Sequence, residues 1–140
     1  MLAILDGIPH SITQEMNDKL TKVVEEKEIH DALFSMNPKK APGQDGMTSL
    51  FFQRFWSTIK RDIIPAIKAF FNSGFMLKSI NHTVISLIPK IFHPTSLKNY
   101  RPISLCSVLY KIISKILANR LKSILDKCIS KTQSAFISDR

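Results

Sequence analysis

The hydrophobic pattern is clearest at residues 48–71, where apolar side chains recur at helical spacing. At 100° per residue, seven of them fall within an arc about 120° wide. They are Phe52, Phe55, Trp56, Ile59, Ile63, Ile67 and Phe70. Arg54, Arg61 and Lys68 gather on the opposite side, where they face either solvent or phosphates. The pattern predicts a helix packed on one face, kinked at Pro65 and ended at residues 72–74 by Asn-Ser-Gly.

A second helical pattern covers residues 107–125 and is apolar over more than half of its circumference. Lys111, Lys115 and Lys122 share a strip only about 40° wide along it. Arg120 projects among the apolar residues instead, which fits either a buried acidic partner or a phosphate contact. A helix this apolar is expected to need packing neighbours on most sides.

Two shorter helices are predicted nearer the N-terminus. Ser11 followed three positions later by Gln14 matches a capping box, with Ser11 as the N-cap of a short polar helix. Residues 25–36 form the second helix, which is acidic in its first turn, as the helix dipole favours. Asn37 ends it, because the residue before a proline avoids the helical region.

The segments 83–88 and 100–105 are short and rich in strand-forming residues, which predicts two strands of a hairpin. Pro89 and Pro102 each remove a backbone donor from the ladder. A hairpin of this kind is expected at an edge of the protein, from which it protrudes.

The loop of this hairpin brings two cations near each other. If it is symmetric about residues 95 and 96, Lys90 and Arg101 are directly opposed and project from the same face. Two cations held so close favour an anion between them. The alternative is that both point into water from a mobile loop.

Residues 42–46, with the sequence PGQDG, predict a tight turn, since glycine adopts positive φ without strain. Asp45 is the tempting catalytic carboxylate of this segment. No second carboxylate lies near it in the sequence, so we interpret it as a turn or N-cap residue.

The charge is unevenly distributed along the 140 residues, which carry a net +9. Residues 1–31 contain seven acids and three bases, a net −4, whereas residues 32–140 contain four acids and seventeen bases, a net +13. An acidic lead-in before a basic body is typical of a nucleic-acid-binding protein. The alternative is that the lysines only keep the surface soluble. A hydrophobic fraction of 44% argues against disorder.

Residues that commonly hold metals are sparse. Cys106 and Cys128 lack CxxC spacing and the four histidines form no ligand pattern, so no metal site or disulfide framework is predicted. The sequence shows no long uncharged apolar stretch and no signal peptide. We therefore expect no membrane partner and an intracellular location, in nucleus or cytoplasm.

Five blocks, taken in order, resemble the reverse transcriptase domain of non-LTR (LINE-type) retrotransposons, most closely those of plants. The blocks are KAPGQDG (40–46), TVISLIPK (83–90), NYRPISL (99–105), YKIISKILANRL (110–121) and QSAFI (133–137). The resemblance runs from about residue 29 to residue 140. It implies an α+β, mainly helical fold, the fingers and the edge of the palm of a right-hand polymerase, behind an acidic lead-in at residues 1–28.

The resemblance also implies partners and sites. Lys90 and Arg101, helped by Lys98, would bind the phosphates of an incoming dNTP, where the planar fork of arginine pairs two oxygens at once. The complete family domain uses Mg²⁺ and an RNA or DNA template-primer. The candidates for template contact combine hydrogen bonding, stacking and a cation. They are Gln133, Ser134, Phe136 and Arg140.

No segment resembles the family's metal-binding aspartate motifs, and the seven aspartates are isolated from one another. Nucleotidyl transfer needs two metals held by carboxylates. The chain is therefore predicted to be a truncated polymerase fragment, inactive by itself, with no catalytic or metal-binding residue of its own. The alternatives are a non-catalytic basic nucleic-acid-binding module and a remnant without function.

Overall fold

The computed structural model of the protein describes residues 12–129. Over this range the chain forms helices, a single pair of strands and one 3₁₀ turn at Leu97–Asn99. The elements in chain order are α1 (Gln14–Thr21), α2 (Glu26–Phe34), α3 (Ser49–Arg54), α4 (Trp56–Ser73), α5 (Lys78–Asn81), β1 (Thr83–Pro89), β2 (Tyr100–Cys106) and α6 (Val108–Cys128). No helix in this range is both long and apolar enough to span a bilayer.

The chain divides into two compact units. Of the described residues, the first unit holds 12–23 and 116–129, and the second is Val24–Lys115. In the first unit Met16, Ile116 and Ile124 are buried. Arg120 donates from Nη1 to the carbonyl of Leu20 at 2.9 Å, next to the last residue of α1. Since the last carbonyls of a helix lack helical donors, this contact satisfies one of them.

The N-cap of α1 is Thr13, so the prediction of Ser11 at this position is wrong. The Thr13 hydroxyl accepts from the backbone N–H of Met16 at 3.3 Å, and the Met16 sulfur accepts from the N–H of Thr13 at 3.3 Å. The same reciprocal pattern that was assigned to Ser11 and Gln14 thus occurs two residues later. Ser11 lies outside the described residues, and the Gln14 amide donates to Asp18 within the first turns of the helix.

The core of the second unit is built from four helices. Its buried apolar residues are Val24, Ile29, Ala32 and Leu33 around α2, Phe52 on α3, Ile63 and Ile67 on α4, and Val108, Ile112 and Ile113 on α6. Helix α2 ends at Phe34, three residues before the predicted stop at Asn37. Helix α6 agrees closely with its predicted start and extends three residues past its predicted end.

The predicted helix over residues 48–71 is two helices, and the break is at Phe55 instead of Pro65. Phe55 has φ −101° and ψ 16°, while α4 continues through Pro65. The break separates two different attachments to α2. Gln53 of α3 donates to the carbonyls of Leu33 and Met36, both at 3.0 Å, whereas Trp56 of α4 lies edge-on to the ring of Phe34. Gly74, at φ 70°, caps the C-terminus of α4 as predicted.

The two strands form an antiparallel hairpin at the predicted positions, and within residues 12–129 no third strand joins it. Most of its side chains are exposed. Arg101 is paired with Ile88, and Tyr100 with Pro89. The assumed symmetry about residues 95 and 96 was therefore wrong, and Lys90 does not stand directly opposite Arg101. Assignment of these elements to a polymerase fingers fold stays a prediction.

Candidate phosphate-binding hairpin

The base of the hairpin is fixed by the residue that follows it. The Ser107 hydroxyl donates to the carbonyl of Ile80 at 3.0 Å and accepts from the N–H of Tyr110 at 3.2 Å. It therefore joins the end of α5 to the start of α6 and acts as the N-cap of α6. Ser107 had not been assigned this part from the sequence, although a serine directly before an apolar helical pattern is a recognised signal.

The loop at residues 42–46 packs against the same junction. A Cβ on Gly43 would lie 2.7 Å from the nitrogen of Ser107 and 2.8 Å from the carbonyl carbon of Cys106, closer than real Cβ atoms approach. Only glycine allows the loop to lie there. Gly46 has φ 70°, and its N–H donates to the carbonyl of Gly43. The block therefore holds the junction of β2 and α6 in place.

Asp45 belongs to this turn, as predicted. Its Oδ1 accepts from the backbone N–H of Met47 at 3.1 Å, which is the geometry of an Asx turn. The carboxylate thus has a local structural partner. Among the described residues there is no group of three or more His, Cys, Asp or Glu side chains that could hold a metal ion.

The tip of the hairpin carries two of the three predicted phosphate ligands. Lys90 follows β1 directly, and its N–H donates to the carbonyl of Asn99 at 2.7 Å. Its ammonium turns across the loop and donates to the carbonyl of Lys98 at 2.9 Å. Lys98 itself lies in the 3₁₀ turn and is exposed. The structure therefore brings Lys90 and Lys98 together through a side-chain contact to the backbone.

Arg101 is the third predicted ligand and lies in β2, one pair inside the end of the ladder. It is exposed and shares a face with its partner Ile88. Lys90 is two residues beyond Ile88, so it is the diagonal neighbour of Arg101 instead of its direct partner. The two cations are consequently farther apart than the sequence interpretation assumed, at a spacing that long side chains still bridge around an anion.

The three side chains are available to a ligand. None of Lys90, Lys98 and Arg101 forms an ion pair within residues 12–129, and all three are exposed. An ammonium has three donors, and only one proton of Lys90 goes to the carbonyl of Lys98. Two lysines and one arginine on a projecting loop can therefore offer several charge-assisted hydrogen bonds to phosphate oxygens.

The candidates for template contact cannot be placed in this geometry. Gln133, Ser134, Phe136 and Arg140 all lie outside the described residues. Their assignment stays a prediction from the sequence.

Comparison with known proteins gives the chain a relative but no family model. No protein-family model matches it. The chain is 36% identical over 135 residues, 96% of its length, to the Transposon TX1 uncharacterized 149 kDa protein of Xenopus laevis. The match spans 10% of the length of that relative. The chain is thus homologous to one segment of a protein encoded by a transposon.

Proposed function

We propose that the chain is a segment of the RNA-directed DNA polymerase of a non-LTR retrotransposon of the plant type. In this proposal the hairpin of β1 and β2 is part of the polymerase fingers and contacts the triphosphate of an incoming dNTP. Homology to a transposon-encoded protein supports the origin. The order of the five sequence blocks supports the polymerase assignment.

The observation that carries the proposal is the hairpin itself. Its base is fixed by Ser107 and Gly43, while its tip presents Lys90, Lys98 and Arg101 to solvent without ion-pair partners among the described residues. Positioned cations of this kind neutralise the charge of a triphosphate, which is the contribution that a polymerase makes outside its metal centre.

The complete family domain uses Mg²⁺, and the described residues do not fit that ion. They contain no cluster of His, Cys, Asp or Glu, and Asp45 is held in a turn. In this proposal the described residues bind and orient phosphates. Chemistry at a metal centre requires carboxylates that they do not bring together.

Titration of the isotope-labelled chain with dATP, followed by NMR amide shifts, tests the proposal. Only two or three charge-assisted contacts are available, each worth about 1.5–3 kcal/mol before the entropy of association, so a millimolar Kd is expected. Shifts should concentrate at residues 88–91 and 97–102. Arg101→Lys should weaken binding about two- to fivefold, because the charge stays while the bidentate fork is lost.

Arg54→Lys is the matched control, since it makes the same chemical change at an exposed residue on α3, away from the hairpin. It should leave dATP binding unchanged. Equal weakening in the Arg101 and Arg54 variants would mean diffuse attraction to a basic surface and would remove support for a site on the hairpin.

A second candidate is a non-catalytic nucleic-acid-binding module. The charge distribution favours it, because residues 32–140 carry a net +13 whether or not the hairpin binds a nucleotide. This candidate predicts salt-dependent binding of single-stranded RNA together with amide shifts that do not concentrate on the hairpin.

A further inference from the structure

A groove of about 470 Å³ lies within the second unit, away from the tip of the hairpin. Its walls come from the end of α2 and the segment after it, the start of α3, the end of β2 and the first turns of α6. The side chains that matter to its chemistry are Lys40, Lys111, Lys115, Ser49, Tyr110 and Ser114. We infer that this groove is a second phosphate-binding site, distinct from Lys90, Lys98 and Arg101.

The charge of the groove has one sign. Lys40, Lys111 and Lys115 line it, and the described residues that form its wall include no carboxylate. Lys111 and Lys115 are one helical turn apart on α6, so they lie on the same face of that helix. Three cations around one concave surface raise the local concentration of anions, an effect that low-dielectric walls strengthen.

Lys111 is held in place by the protein itself. Its ammonium donates to the carbonyl of Ala41 at 2.8 Å, which fixes the side chain across the groove wall. Two of its three protons remain for a ligand. A cation positioned in this way loses little side-chain entropy when it binds a phosphate oxygen.

Neutral donors in the groove add to the charge. Ser49 is 2% exposed, and its hydroxyl donates to the sulfur of Met36 at 3.7 Å. A thioether is a weak acceptor, so exchange of this partner for a phosphate oxygen is favourable. Tyr110 and Ser114 add hydroxyls from α6. The groove also lies beside the first turn of this 21-residue helix, where the helix dipole favours negative charge.

The size of the groove indicates the class of ligand. A volume of about 470 Å³ is within the range of roughly 300–1,000 Å³ that small-molecule sites occupy. It has room for more than a bare phosphate ion. The ligand class is a phosphate ester, provided either by a free nucleotide or by the backbone of a nucleic-acid strand.

Amide shifts of the labelled chain test the site at constant ionic strength, with sodium pyrophosphate, AMP and hexauridylate as separate probes. Shifts are expected at Lys40, Ser49, Lys111, Ser114 and Lys115. Lys40→Gln and Lys115→Gln should each weaken pyrophosphate binding about two- to fivefold, the range expected for loss of one exposed charge contact. Hexauridylate binding more tightly than AMP identifies a strand as the ligand, and the reverse order identifies a nucleotide.

Lys122→Gln is the matched control, because it removes the same charge from the same helix but at a residue that does not line the groove. It should leave binding unchanged, and the amide spectrum of each variant shows whether it is folded. If Lys122→Gln weakens binding as much as Lys115→Gln, or if no groove amide shifts with any probe, the inference is wrong. The hairpin amides report the proposed dNTP site separately, so either site can fail without the other.

Discussion

At the scale of single residues, glycine and hydroxyl positions decide the local structure around the hairpin. The tight turn at residues 42–46 and the turn role of Asp45 were predictable, because they follow from local backbone preferences. The close approach of Gly43 to Cys106 and Ser107 was not, since it joins segments more than sixty residues apart. The choice of Thr13 over Ser11 as the N-cap was also beyond the pattern, because both residues are good caps.

Gly43→Ala is expected to destabilise the protein by about 1–3 kcal/mol, the usual cost of overpacking. The added Cβ would meet backbone atoms at 2.7–2.8 Å, and backbone cannot move aside as a flexible side chain can. Urea unfolding measures the loss. Gly46→Asn is the control, because that position has open space and asparagine tolerates its positive φ. A larger loss in the control would show that φ, and not contact with the junction, governs this turn.

Asp31 gives a pH-dependent contribution to stability. The hydrogen bond from Lys27, at 2.5 Å, and then that from His30 hold the pKa of the Asp31 carboxyl below its ordinary value. A lowered pKa in the folded state stabilises the fold above the ordinary carboxyl pKa, and this stabilisation is lost as the pH falls through the lowered pKa. Asp31→Asn should therefore lower the midpoint of urea unfolding slightly at neutral pH and not at all in strong acid.

Asp62→Asn serves as the comparison for Asp31, since it removes the same charge at another exposed helical position. A difference between Asp31→Asn and the unmodified protein that stays constant across the pH range would contradict the assignment of this effect to ionisation.

At the scale of elements, periodicity predicted where helices and strands lie but not how they meet. The strands, the cap at Gly74 and the start of α6 all follow from local sequence signals. The break at Phe55 does not, because it depends on the contacts of Gln53 and Trp56 with α2. The register of the hairpin depends on the 3₁₀ turn at Leu97–Asn99, which the assumption of a symmetric loop omitted.

Gln53→Ala should destabilise the protein by about 1–3 kcal/mol. The side-chain amide satisfies two carbonyls at the end of α2, and both hydrogen bonds are lost together. The unfolding midpoint in urea measures this effect. Gln44→Ala, in the exposed turn at residues 42–46, should change it by less than about 0.5 kcal/mol. Similar losses in both variants would mean that the amide of Gln53 contributes little.

At the scale of the whole molecule, the described residues combine phosphate-binding features with no metal cluster. The hairpin offers Lys90, Lys98 and Arg101, and the groove offers Lys40, Lys111 and Lys115. The sequence located the first set through a resemblance. The second set was not predicted, because Lys40 is distant in the sequence from α6 and only the fold places it beside that helix.

Primer extension on an RNA template is expected to be absent for the 140-residue chain, with either Mg²⁺ or Mn²⁺. Polymerisation needs carboxylates that hold two metals around the reacting oxygens, and the described residues bring no such set together. Incorporation of labelled dNTP above background would contradict this expectation. The seven aspartate-to-asparagine variants would then identify any carboxylate responsible.

Salt-dependent binding of single-stranded RNA tests the central claim most directly, namely that this transposon-related chain engages nucleic-acid phosphates through its hairpin. For three to five phosphate contacts, log K should fall with log salt at a slope of about −2 to −3.5. Lys90→Gln combined with Arg101→Gln should make the slope shallower by about one to two. Arg54→Gln combined with Lys68→Gln, the matched pair on α3 and α4, should leave the slope unchanged. Absence of RNA binding at low salt, or an equal change of slope in both double variants, would contradict the claim.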